Sequence, residues 1–210
     1  MAVVGNGSTG YGQTDKVLNI LDWINVMAYD GNAGSGHSTY NFAVECGEYW
    51  TKTRGLSKDK VVLGVPFYER PNWASYADIV AKDPANAYKD SAVINGTTVY
   101  YNGITTMKNK TTWACNNAGG IMIWEITQDS KNAQLSLLNA IYGTAKAVLD
   151  NGIVEPEEPV EGYAAYDSTK IYVAGDRVTY NGKVFEAYWW TLGDIPDETQ
   201  QWGVWRVVLS

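Results

Sequence analysis

The chain has 210 residues, 45% of them hydrophobic, enough for one large domain or two unequal ones with real cores. With 23 acidic against 16 basic side chains its formal charge is −7, which argues against nucleic acid or an anionic membrane surface as a partner. Nine Trp and 15 Tyr beside only 3 Phe are the unusual quantity, because these rings combine a flat apolar face with a polar edge.

From the N-terminus, Met1 to Gly7 has neither a basic start nor a long apolar run, so it does not read as a signal peptide. Ala2 to Val4 suggests a strand stub, and Trp23 to Tyr29 a buried strand. A Gly-rich loop, 32–36, leads to His37, the one histidine; in such a loop it reads as a solvated residue rather than a base. Phe42, Ala43, Cys46, Tyr49 and Trp50 recur at helical spacing, predicting a helix over Thr39 to Arg54 stopped by Gly55. Val61 to Phe67 is a continuous apolar run, as expected of a parallel strand covered on both faces. A long irregular stretch follows, then a helix over Ile104 to Asn116, a strand at Ile121 to Trp124, and a last helix marked by Leu135, Leu138 and Ile141.

Repeated strand–helix order predicts a parallel sheet with helices outside, and about four strands fit. A doubly wound sheet and part of a (β/α)8 barrel both satisfy the pattern. The two cysteines, Cys46 and Cys115, lie outside any metal-ligand spacing and are expected as buried free thiols.

The composition changes near Asn151. Residues 153–162 carry two prolines and four glutamates, an extended, self-repelling linker by composition. This divides the chain into residues 1–150, a linker at 151–162, and a tail of residues 163–210. In the tail, Arg177 to Tyr180 and Lys183 to Tyr188 flank Asn181-Gly182, a strong hairpin signal, so a compact antiparallel module is expected.

In a parallel α/β fold, functional groups gather at the C-terminal strand ends. Those ends hold Met27, Tyr29 and Asp30; Tyr68, Glu69 and Arg70; and Trp124 with Glu125. Stacking faces, a carboxylate, a phenol and an arginine at one end of a sheet suit a carbohydrate.

Asp22-Trp-Ile-Asn-Val-Met-Ala-Tyr-Asp30 resembles the sixth-strand motif of family 18 glycoside hydrolases, the chitinases and their relatives. Val62-Leu-Gly-Val-Pro-Phe-Tyr-Glu-Arg70 is similar to their seventh strand, and Gly119-Gly-Ile-Met-Ile-Trp-Glu125 to their eighth. Glu69 departs from the family's usual glycine. The resemblance implies an α/β fold, the C-terminal half (about strands 5 to 8) of a (β/α)8 TIM barrel that cleaves β-1,4 links between N-acetylglucosamine units. It also implies substrate assistance, in which the sugar's own acetamide attacks the anomeric carbon to give an oxazolinium ion. Tyr29 and Asp30 would orient and stabilise that acetamide, Trp124 would floor the sugar, and Met27, Tyr68 and Arg70 would line the pocket. The family's general acid is a glutamate ending Asp-x-x-Asp-x-Asp-x-Glu on strand four. No such motif occurs in these 210 residues, and Glu45 and Glu48 lie on an outer helix. The chain by itself is therefore expected to be inactive, and a partner carrying the first half of the barrel is conceivable.

The tail, from Tyr166 through Gly175-Asp-Arg-Val, Tyr188-Trp-Trp-Thr and Trp202-Gly-Val-Trp205, is similar to the small all-β chitin-binding modules of carbohydrate-binding families 5 and 12. Trp189 and Trp190, with Tyr188 behind them, are the expected contacts; strand alternation would bury one of the two indoles, whereas a twisted edge or bulge would expose both. Trp202 and Trp205 are expected in the core. The combined expectation is the C-terminal part of an extracellular chitinase, with chitin or N-acetylglucosamine oligosaccharides as ligand and no metal or organic cofactor. The alternative is a non-catalytic, lectin-like chitin-binding protein.

Overall fold

The computed structural model describes residues 1–31, 34–151, 163–164, 166–167, 170–180, 183–197 and 203–209. The chain divides into two compact units, Met1–Ile153 and Val154–Ser210.

The first unit runs β1 (Ala2–Val4), α1 (Asp15–Ile20), β2 (Ile24–Met27), α2 (Tyr40–Glu48), β3 (Val61–Pro66), α3 (Tyr76–Lys82), β4 (Ser91–Ile94), β5 (Thr97–Tyr100), α4 (Ile104–Asn117), β6 (Gly120–Trp124) and α5 (Leu137–Asn151). Strands β1, β2, β3 and β6 form one parallel sheet in that spatial order, with Val3 beside Val26, Val26 beside Leu63, and Leu63 beside Ile121. Among the described residues this sheet does not close on itself, and β1 and β6 are its two edges.

Side chains alternate across the pleat, so each strand offers two faces. Val3, Ile24, Val26, Val61 and Leu63 pack with Ala43, Cys46, Trp50 and Ala114 of the helices in one fully buried cluster. Val65, Phe67, Tyr76, Ile79, Met107 and Leu137 form a second. The alternate positions, Asn25, Met27, Val62, Gly64, Met122 and Trp124, line the other face of the sheet.

The predicted helix after the first loop is present from the Thr39 cap, whose Oγ1 accepts the Phe42 N–H at 3.1 Å. It continues past Glu48 as a π-helical turn over Tyr49–Thr53, and Gly55 ends it with φ of 69°. The stretch between Pro66 and Ile104, read from sequence as irregular, is not. It holds α3, capped by Ser75 accepting from Asp78 N–H, and the β4–β5 hairpin, which turns on Asn95-Gly96 with φ of 51° and 80°. That hairpin places Tyr100 beside Arg70, the two residues exchanging backbone hydrogen bonds of 3.0 and 2.9 Å. Cys46 and Cys115 are free; Cys46 is buried as expected, but Cys115 is only half-buried.

The second unit contains β7 (Ile171–Tyr172), β8 (Arg177–Tyr180), β9 (Lys183–Ala187), β10 (Thr191–Leu192) and β11 (Trp205–Leu209). Three strands pair antiparallel in the order β11-β9-β8, and β10 pairs antiparallel with β7. So small a unit builds its core from rings: Tyr172 and Trp205 meet edge to face at 5.2 Å, and Tyr166 stacks on Tyr172 at 5.7 Å. Trp205 is buried as expected and donates from its indole nitrogen to the Asp194 carbonyl at 2.6 Å. Residues 152–162 of the linker expected at 151–162, the Asn181-Gly182 turn and Trp202 lie outside the described residues, and Asn151 ends α5.

Candidate functional site

The C-terminal ends of β2, β3 and β6 sit side by side and deliver the predicted groups to one edge of the sheet. Beyond β2, Tyr29 and Asp30 follow, with Asp30 in the left-handed region at φ of 55°. Asp is among the residues that tolerate this conformation, and the sharp turn brings its carboxylate against the residues that follow β3. The Tyr68 hydroxyl donates to Asp30 Oδ2 at 2.7 Å. On the other carboxylate oxygen, Oδ1, His37 Nδ1 lies at 3.0 Å and Arg70 Nε at 3.5 Å. Tyr29 meets Tyr68 edge to face at 6.2 Å.

Electrostatics follow from burial. Burial first, and then the Asp30 charge, raises the Tyr29 pKa above 10.0, so its phenol stays a donor. Tyr68 is raised further, by burial first and then by its hydrogen bond to Asp30. Tyr68 is buried and its hydroxyl is already committed to the aspartate, whereas Trp124 is 57% exposed at the end of β6. Met27 and Arg70 are half-buried beside them.

Glu69, where a glycine was expected, is fully buried and closes a tight loop. Its carboxylate accepts the N–H groups of Ala74 at 2.9 Å and Asn72 at 3.3 Å. The loop thereby presents Trp73, at φ of 65° and 54% exposed, against Arg70, whose guanidinium lies 3.8 Å from the Trp73 ring centroid. Glu125 turns away from the sheet edge to close the next helical turn, pairing with Gln128 in a capping box.

The solvated-loop reading of His37 is overturned: the ring is 1% exposed, wedged against Tyr68 at 5.1 Å and bonded to Asp30. Periodicity does not flag such a residue; the available signal was a lone histidine seven residues after a strand-end aspartate. Beneath it, also unforeseen, lies Lys110 of α4, fully buried. Its Nζ donates to the Ser38 carbonyl at 2.8 Å, to Ser38 Oγ at 2.7 Å and to Asn102 Oδ1 at 2.7 Å. Desolvation lowers its pKa from 10.5 to about 7.

In the second unit, β9 ends at Ala187, so strand alternation no longer governs the residues beyond it. Tyr188, Trp189 and Trp190 are 53%, 47% and 60% exposed, and neither indole enters the core. The Arg206 guanidinium lies 5.2 Å from the Tyr188 ring centroid. Among the described residues, no cluster of three His, Cys, Asp or Glu side chains is arranged to hold a metal, and no helix is long and apolar enough to cross a membrane.

Comparison with known proteins gives these two sets of residues a common setting. The family model for Glycosyl hydrolases family 18 matches residues 1–129, and that for Carbohydrate-binding module family 5/12 matches residues 165–206. Chitinase A of Pseudoalteromonas piscicida is 48% identical over 48 residues, which are 23% of this chain and 6% of that protein. Chitinase 63 of Streptomyces plicatus is 27% identical over an alignment covering 64% of this chain and 30% of that protein. The crystal structure of the GH18 chitinase ChiB of Flavobacterium johnsoniae superposes with a TM-score of 0.60 at 32% identity, covering 70% of this chain and 49% of that one. The chain thus spans about half the length of that solved chitinase and less than a third of the two curated relatives. With the family model over more than half of its residues, the chain belongs to family 18 of the glycosyl hydrolases and carries a family 5/12 carbohydrate-binding module behind that region.

Proposed function

We propose that this chain is the C-terminal part of an extracellular chitinase, and that these 210 residues adsorb to chitin without hydrolysing it. In this reading residues 1–150 are the second half of a (β/α)8 barrel, with β1, β2, β3 and β6 as its strands five to eight. Residues 151–162 are then a linker, and residues 163–210 the chitin-binding module.

One observation carries the binding half of the proposal. Tyr188, Trp189 and Trp190 stand exposed in succession just past the end of β9, in a unit whose other described aromatics largely serve its core. An exposed indole covers apolar surface on a pyranose ring, and losing that cover costs about 1–3 kcal/mol per ring, or roughly five- to 150-fold in affinity.

The catalytic half rests on Asp30. Its carboxylate is fixed by Tyr68 and faces Arg70 and His37, while Tyr29 remains a protonated phenol beside it. In the whole enzyme, Tyr29 and Asp30 would hold the substrate's acetamide in line for attack on the anomeric carbon, with Trp124 beneath the ring and Met27 lining the same pocket. Arg70 would contact the sugar from the rim, and Tyr68 would act through Asp30. The leaving-group oxygen still requires a proton, a contribution of about a hundred- to ten-thousand-fold. The chain contains no Asp-x-x-Asp-x-Asp-x-Glu motif to provide it.

The test is a pull-down on insoluble chitin beads, wild type beside the Trp189→Ala/Trp190→Ala variant, with released sugar assayed in the same tubes. Binding in the wild type, loss of it in the double variant and no sugar from either are expected. Failure of the folded wild type to bind would sink the adsorption claim, and sugar release would expose an acid elsewhere in the chain.

A further inference from the structure

We propose that His37 is a positioning residue for Asp30, a proton-dependent clasp that holds the Asp30 carboxylate when the imidazole is charged and the Asp30 backbone N–H when it is neutral. The proposal rests on the reading of Asp30 as the carboxylate that faces the substrate's acetamide.

Three polar atoms lie within reach of the ring. Nε2 lies 3.4 Å from the Tyr68 carbonyl oxygen, which can only accept, so Nε2 carries a proton in either state. Nδ1 has two neighbours of opposite demand. The Asp30 N–H, at 3.3 Å, needs an acceptor, and Asp30 Oδ1, at 3.0 Å, needs a donor. Neutral imidazole already protonated at Nε2 offers a lone pair at Nδ1; it accepts from the Asp30 N–H and repels Oδ1. Protonated imidazole offers Nδ1–H, donates to Oδ1 in a charge-assisted bond and gives up the amide. One proton on Nδ1 therefore decides whether Oδ1 is held by His37 or left to Arg70 Nε at 3.5 Å. Oδ2 stays with the Tyr68 hydroxyl in both states.

The ring cannot evade this choice by swinging out. It is 1% exposed, and its own backbone is pinned on both sides: His37 N–H donates to Gly34 at 3.0 Å, and His37 O accepts from Gly31 N–H at 3.4 Å. Ser38, the next residue, is tied to Lys110 and Asn102, and its hydroxyl reaches Ala28 O at 3.4 Å, two residues before Asp30.

The charged and titratable groups facing the ring are Asp30 beyond β2, Tyr68 and Arg70 beyond β3, and Lys110 from α4. Burial is the largest influence and lowers the His37 pKa. Asp30 and the Tyr68 carbonyl oppose it, and Lys110 and Arg70 reinforce it. The net direction is below 6.5, so the clasp closes on the carboxylate only on the acidic side of that pH.

Because the chain has a single histidine, its two imidazole nitrogens are the only such pair in a long-range 1H–15N spectrum of the labelled protein. Expected above the midpoint is the tautomer with its proton on Nε2, and a midpoint below 6.5. The Asp30 amide proton should shift with the same midpoint, and that step should vanish in His37→Gln. In Asp30→Asn the imidazole midpoint should fall further, since the charge that favours imidazolium is gone. A proton on Nδ1 in the neutral form, an Asp30 amide indifferent to the His37 midpoint, or a midpoint unmoved in Asp30→Asn would each overturn the proposal. None of these signals requires sugar, so failure of the chain to bind chitin would leave the result standing on its own.

Discussion

Burying the Lys110 ammonium costs the first unit free energy. A lysine with no exposed surface keeps three hydrogen bonds, yet desolvation lowers its pKa from 10.5 to about 7. Between those two values the unfolded chain holds a proton that the folded chain has released, so stability rises with pH across the window and is lowest below it. From about pH 7 to about pH 8.5 the gain is about 2 kcal/mol, before the titration of Cys46, pushed up to about 12 by burial, works in the opposite direction. Urea unfolding of wild type beside Lys110→Met reads this directly. The wild-type midpoint should climb relative to that of the variant over the window, and parallel pH profiles would show that Lys110 is not neutralised by the fold. The identity of this residue gave no warning of its position. Lys110 sits at mid-helix, and its partner Ser38 lies 72 residues earlier in the chain.

Strand packing rather than any single polar contact keeps Tyr29 in place. A Cβ added at Gly64 in β3 would lie 2.4 Å from the Val26 carbonyl oxygen, 2.9 Å from Met122 Cε and 3.1 Å from the Tyr29 ring. The first of these is backbone of the neighbouring strand and cannot swing aside, so Gly64→Ala should cost the first unit about 1–3 kcal/mol. A lowered thermal midpoint with chitin adsorption retained is the expected pair of results; an unchanged midpoint would refute the close packing of β2, β3 and β6. The strands themselves were legible because burial on both sides leaves an uninterrupted apolar run, as in Val61 to Phe67. The β4–β5 hairpin was missed although Val93-Ile94-Asn95-Gly96-Thr97 carries the same Asn-Gly signal that was read in the tail. His37 was misread for another reason: its burial comes from Tyr68, brought from 31 residues away, and no local pattern records that. Trp189 and Trp190 escaped the alternation rule because β9 stops two residues before the first of them.

The charge of the whole chain makes the proposed mode of adsorption measurable. A formal charge of −7 repels anionic surfaces and offers a neutral acetylated polysaccharide little long-range attraction. If adsorption is stacking by Tyr188, Trp189 and Trp190, its free energy comes from apolar contact, which salt does not screen. Ion pairs between exposed groups, by contrast, weaken as the Debye length falls from about 10 Å at 0.1 M to about 3 Å at 1 M. Arg206 beside Tyr188 adds little salt dependence, since a cation over an exposed ring contributes only about 0.5–1 kcal/mol. Binding isotherms on insoluble chitin at about 0.1 M and about 1 M NaCl should therefore differ by less than about threefold in Kd. The Trp189→Ala/Trp190→Ala variant should stay weak at both. A tenfold loss at high salt would mean that charged groups rather than the three rings hold the polymer, and the aromatic assignment in the second unit would have to be abandoned.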